Sequence, residues 1–219
     1  MSRRTVIVAA VVALALSVWG YSAYHTHSTR LSIISVVKDA SEKLRPALHA
    51  RDDGHSDFGA DARAVDAHVK RVRAMGASSL VELADAADAY LVTAREILRR
   101  QAAMQSARDA LEASLEALSR HRAAGRGAAD WARVAVRLKE KVDRDLREFR
   151  VGAESYASLV ATLPQAQAKI APHVNAAWLA DENTITAARN GALDALARTD
   201  ENTRQATRLD AHRGTRARP

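Results

Sequence analysis

Asp52, Asp53, Asp57 and Asp61, with His55 and Ser56 among them, are the residues of this chain whose types and spacing come closest to chemistry. Clustered carboxylate oxygens beside one imidazole are what a divalent cation asks for. The spacing does not follow through. No second acid stands two positions after Asp53, and no glutamate closes the loop as a bidentate ligand, so an acidic, solvated turn explains the stretch more simply. A di-iron bundle needs Glu-x-x-His on a helix so that both ligands face one core, and that tetrapeptide is absent. His-Glu-x-x-His, a glycine-rich phosphate loop and Gly-x-Ser-x-Gly are absent too. His25 and His27, two apart, point to different sides of a helix. His49, His68, His121, His173 and His212 follow no ligand spacing. No residue is assigned a catalytic, cofactor-binding or metal-binding role, no cofactor is expected, and the chain is not read as an enzyme.

Cysteine is missing altogether, which removes disulfides, thiolate nucleophiles and zinc-thiolate sites. A net charge of +7 and a pI near 10.1 raise the question of an anionic partner. Nucleic acid is a poor fit, because the aromatic side chains that stack bases are scarce. The lysines and arginines of residues 137–150 have acids four positions away, in the pairs Lys139 with Asp143, Glu140 with Arg144, Lys141 with Asp145, Asp143 with Arg147 and Arg144 with Glu148. Such pairs describe a solvated helix face. Arg204, Arg208, Arg213, Arg216 and Arg218 have fewer acids around them, and a weak contact of this tail with anionic lipid or polymer is the expectation.

Residues 5–24 contain no charged side chain and follow Arg3 and Arg4. As a helix they reach ~30 Å, the thickness of a bilayer's hydrocarbon core. Trp19, Tyr21 and Tyr24 gather at the far end, where amphipathic rings favour the headgroup zone. The run reads as an uncleaved signal-anchor, with 1–4 a cytoplasmic basic tail. A signal peptide cut after Ser22 is the competing reading. Either way the body is expected outside the cytoplasm, in the periplasm against a bacterial-type inner membrane.

Beyond the anchor the chain reads as helix throughout, since alanine, leucine, arginine and glutamate abound and no segment alternates with period two. Pro46 predicts a kink or an early helix end. A helix over 62–75 should stop near Gly76, and Ser79 with Glu82 has the form of a capping box. Leu83, Ala87, Tyr90, Ala94, Ile97, Gln101, Met104, Arg108, Leu111, Leu115 and Leu118 alternate by threes and fours, which predicts a coiled-coil seam with Gln101 and Arg108 as polar seam positions. Gly125 and Gly127 mark a turn, and Asp130 is placed to cap the next helix. That helix carries Trp131, Ala135, Leu138, Val142, Leu146, Phe149, Ala153, Tyr156, Val160 and Leu163, with a stutter between Val142 and Leu146. Pro164 and Pro172 suggest restarts. A last helix is expected to hold Val174, Trp178, Ile185, Ala188, Ala192 and Leu196, before a disordered basic tail over 201–219.

The expected architecture is all-α: a single transmembrane helix and then, over 25–200, an elongated antiparallel helical bundle. The expected function is that of a structural or protein-interaction module, with a protein partner or a second copy. A ligand-sensing ectodomain working with a signalling subunit is the alternative, since the sequence carries no second apolar span. A secreted helical protein or an enzyme without recognisable motif ranks below both.

Overall fold

A computed structural model describes residues 3–49, 57–75, 80–124 and 130–214, with the backbone alone at 3–16, 18 and 208–214. Every element is helical: α1 (Arg3–Leu48), α2 (Phe58–Ala74), α3 (Val81–Ala123), α4 (Trp131–Val160), α5 (Leu163–Ile170) and α6 (Glu182–Gly214), with short 3-10 turns Ala171–His173 and Ala176–Trp178 between the last two. The all-α bundle read from the sequence is therefore the fold observed. Among the described residues no helix is long and apolar enough to cross a membrane, so the span expected over 5–24 is not among the features this fold shows.

α1 is one continuous helix of 46 residues, ~69 Å long at the usual rise. Its two halves live differently. From Ser17 to Ser28 the described side chains are exposed but for a half-covered Thr26, and Trp19, Tyr21 and Tyr24 are 71–73 % exposed. Burial begins at Thr29 and continues through Ile33, Val36, Val37, Ala40, Leu44, Ala47 and Leu48, a stripe at helical spacing. Pro46 lies inside α1, two residues before its last residue, where the i→i−4 bond it removes is confined to the final turns.

Two phenols anchor that stripe. The Tyr156 hydroxyl donates to the carbonyl of Ala47 at 2.6 Å, one of the terminal carbonyls for which an α-helix has no internal partner. Tyr90 shares a 2.8 Å hydrogen bond with Ser41, whose hydroxyl also reaches the Val37 carbonyl at 2.9 Å. α2 starts at Phe58, earlier than the periodicity suggests, because the Asp57 carboxylate accepts from the Ala60 amide at 2.8 Å. It docks on α1 through His68 and Asp39, 2.7 Å apart, and on α3 through Arg95 with Asp66 and a bidentate Arg73–Asp88 pair at 2.7 and 3.0 Å.

α3 departs from the coiled-coil expectation. A seam would bury one residue per three or four, whereas here Ala86 with Ala87, Tyr90 with Leu91, and Ile97 with Leu98 are buried as adjacent pairs. The broad stripe follows from neighbours on several sides, with α1, α2, α4 and α5 all packed against this helix. Arg108 is not a seam residue: it is exposed and bonds Glu112 at 2.9 Å. Between Leu98 and Leu111 no position of α3 is fully buried, and this stretch divides the interior into two cores. The larger joins α1, α2 and the first half of α3 to the end of α4, α5 and the start of α6. The smaller holds Leu111, Leu118, Val142, Phe149, Ala153 and Leu196. Near the boundary α4 comes so close that a Cβ on Gly152 would sit 3.3 Å from the Met104 Cα.

Other expectations are corrected in detail. Asp130 precedes α4 but makes no side-chain cap, and its carboxylate engages Arg133 instead. At the stutter Asp145 occupies the buried position and Leu146 is only half-covered. Val174 and Trp178 precede the last helix, which starts at Glu182. The helix continues past Asp200 to Gly214, with Thr203 buried, where a disordered tail was expected from 201. None of the five expected i, i+4 pairs of residues 137–150 closes among the described residues; Arg150 reaches across to Asp200 of α6 at 2.7 Å. Gly76, Ser79, Gly125, Gly127 and the acidic stretch before Asp57 lie outside the described residues.

These contacts give stability predictions that separate a packed stripe from a seam. Leu111→Ala should lower the unfolding free energy by ~2–5 kcal/mol. Arg108→Ala, at a position equivalent in a seam, should cost under ~1 kcal/mol, as exposed ion pairs do. Urea melts followed by circular dichroism compare them directly.

Candidate functional site

Where α1 ends, the segment between α5 and α6 folds back and leaves a cleft of about 280 Å³. α1 contributes Ser41, Leu44, Arg45 and Leu48, with His49 just after its end; α3 contributes Tyr90; the returning segment contributes Trp178 and Asp181, and α6 begins alongside with Thr184. The site exists for local reasons. α1 ends two residues after Pro46, and Pro172 holds its surroundings out of an α-helix, so the chain from Ala171 to Asp181 makes two 3-10 turns in place of a helix.

The returning segment is fixed at three points. The Asn175 side chain accepts from the Ala177 amide at 2.9 Å. Gln167, with its amide oriented so that both atoms are satisfied, donates to the Ala180 carbonyl at 3.1 Å and accepts from the Ala180 amide at 2.8 Å. Lys38 lies 5.7 Å from the centre of the Trp178 ring, a cation–π distance. Asp181 caps α6, accepting from the Thr184 amide at 2.8 Å and the Thr184 hydroxyl at 2.9 Å. Those two bonds hold its carboxyl below the ordinary value. Arg45 makes one long contact, 3.4 Å to the Ala177 carbonyl. The floor is the buried Tyr90–Ser41 pair, and burial pushes the Tyr90 phenol above its usual range against the opposing effect of Ser41.

The arrangement has charge, an aromatic wall and hydroxyls, and its hydroxyl bonded to a carboxylate, Thr184 on Asp181, belongs to the cap of α6. A second hollow, between Glu96, Arg100, Glu154 and Thr162, is broad and open to solvent. Of the residues weighed in the sequence, Asp57 caps α2 and Asp61 stands 4.0 Å from Lys43. Asp52, Asp53 and His55 lie outside the described residues. Among the described residues no group of three or more His, Asp or Glu side chains could hold a metal ion. His121 stacks on Trp131 with ring centres 5.2 Å apart, a packing contact at the far end of the α3–α4 hairpin. Sequence reasoning missed Arg45, His49, Trp178 and Asp181 as a group. The signal available was the placement of Pro46 and Pro172, which mark a helix end and a non-helical return without showing that they meet.

Burial raises both phenols, Tyr90 and Tyr156, above their unfolded values. A raised folded pKa contributes stability that is present below the unfolded value, near 10, and is lost as pH climbs toward the folded one. The protein should therefore lose stability above about pH 10. The double variant Tyr90→Phe, Tyr156→Phe should be less stable at pH 8 but show a flatter alkaline limb, as read from urea midpoints between pH 8 and 11. The chain matches no protein-family model, no curated protein and no solved structure.

Proposed function

We propose that this chain is a single-pass membrane-anchored protein whose helical body stands outside the cytoplasm, in the periplasm, and acts through protein contacts rather than catalysis. The observation that carries this reading is the division of α1. Its uncharged run over 5–24 belongs to the same helix whose later part, from Thr29, is buried in the body. Trp19, Tyr21 and Tyr24, exposed on the stretch between, suit a headgroup layer. A continuous helix transmits position and rotation from bilayer to bundle, as an adaptor or scaffold requires. The partner would be another protein or a second copy, with the C-terminal arginines available to an anionic lipid or polymer.

The cleft beside Arg45 favours a second reading, in which the body senses a small ligand and a separate subunit carries the signal. It is the described concavity with convergent polar groups and an aromatic wall, the usual composition of a ligand site.

The anchor has a direct test. Alkaline carbonate should leave the full-length protein in the membrane pellet, and a reporter active only in the periplasm should work when fused after Pro219. Recovery of a soluble protein whose N-terminus lies near Ala23 would replace the anchor by a cleaved signal.

A further inference from the structure

We infer that the cleft at the end of α1 binds a small ligand bearing a carboxylate on a flat apolar body. Arg45 would hold the carboxylate, with Trp178, Leu44 and Leu48 against the body. The inference rests on the ligand-sensing reading and gives it a chemical class.

The class follows from which charges are already committed. The charged or titratable groups lining the cleft are Arg45 from α1, His49 just after its end, Asp181 from the returning segment and Tyr90 from α3. Asp181 is turned to α6, with one carboxylate oxygen on the Thr184 amide and the other on its hydroxyl. Tyr90 is engaged with Ser41. Arg45 spends one N–H on a 3.4 Å contact, beyond the usual range for a good hydrogen bond, and keeps further donors in a planar fork. A carboxylate matches that fork with two parallel bonds. An ammonium would meet Arg45 as a like charge and find the carboxylate already satisfied.

Two contributions oppose an anion, and the first is the Asp181 carboxylate of the same cleft, which stays ionised although both its oxygens are turned onto Thr184. The second is the C-terminus of α1, which carries the negative end of a helix dipole, roughly half a charge. It is weakened here, because the Tyr156 hydroxyl covers the Ala47 carbonyl and the His49 amide donates to the Arg45 carbonyl at 3.1 Å. The positive end of α6 meets the cleft at Thr184. The Arg45 guanidinium is the charged group of the cleft least occupied by partners, and that difference, rather than net charge, sets the class. Size limits the ligand further: about 280 Å³ falls at the lower edge of the range for small-molecule sites, enough for one ring with its substituent.

Benzoate, benzyl alcohol and benzylamine share a ring and differ in the charge of one substituent. The probes are titrated into full-length protein in detergent while the indole N–H resonance of Trp178 is followed, distinguished from those of Trp19 and Trp131 by Trp→Phe variants. Benzoate should shift the Trp178 signal saturably, with Kd on the order of 1 mM for so small a probe. The other two should bind at least about tenfold more weakly, and Arg45→Gln should weaken benzoate by about tenfold, with partial recovery in Arg45→Lys. Arg45 is exposed, so the variants should keep the wild-type helical spectrum. Should they unfold, the comparison of the three probes on the wild-type protein still decides. Equal or tighter binding of benzylamine or benzyl alcohol would overturn the carboxylate class and leave a ligand site standing. If no probe moves Trp178, the ligand-sensing reading falls with it.

Discussion

The second half of α1 has to be satisfied along its side and at its end, and the remaining helices are arranged around that requirement. From Ile33 to Leu48 it buries an apolar stripe under α2, α3 and the start of α6, all in the larger core. The phenol of Tyr90, buried against that stripe, and the helix-end carbonyl of Ala47 would each cost ~1–3 kcal/mol if left unpaired. Ser41 gives the Tyr90 phenol its partner, and Tyr156 supplies one to the Ala47 carbonyl. These phenols come from α3 and α4, so the end of α1 fixes where both long helices lie. The floor of the cleft is one of those same bonds. Site and scaffold thus share atoms, and the cleft keeps its shape for as long as the core does.

The lower half of the hairpin is held more lightly. Its core has Leu196 as the buried apolar contribution of α6, and polar groups sit deep within this region. Asp145 and Thr203 are buried, and among the described residues neither the Asp145 Oδ2 nor the Thr203 Oγ1 meets a hydrogen-bond partner. Half-buried residues between Leu98 and Leu111 separate this region from the larger core. Stability should therefore grade along the hairpin, greatest where α1 is packed and least toward the turn between α3 and α4.

Much of this fold was legible in the sequence because helix formation leaves a local signature. Composition, Pro46, Pro164 and the repeat of Ile185, Ala188, Ala192 and Leu196 located helices and faces without reference to any neighbour. The errors came where a neighbour decides. A period of three and four does not say how many helices surround a stripe, so Arg108 read as a seam residue although it points to solvent. Alanine at Ala86, outside the expected seam yet buried, gives the same weak signal whether buried or not. The break at Asp181 went unread because Val174 and Trp178 continue the apolar spacing, while the bonds that fix that segment come from Gln167 and Asn175. The cleft was invisible for the same reason: Arg45 and Trp178 are far apart in the chain, and nothing in either residue's surroundings names the other.

We propose that α1 is one helix serving two environments, a bilayer for its first half and the bundle core for its second. Hydrogen exchange by mass spectrometry, on the full-length protein in detergent across a urea series, tests it directly. Peptides from 33–47 should lose protection together with those from 83–98, since both belong to the larger core. Peptides from 5–24 should stay protected at urea concentrations that have already unfolded the body. Simultaneous loss of protection over 5–24 and 33–47 would contradict the account, and would mean that the first half of α1 depends on the bundle rather than on a solvent of its own.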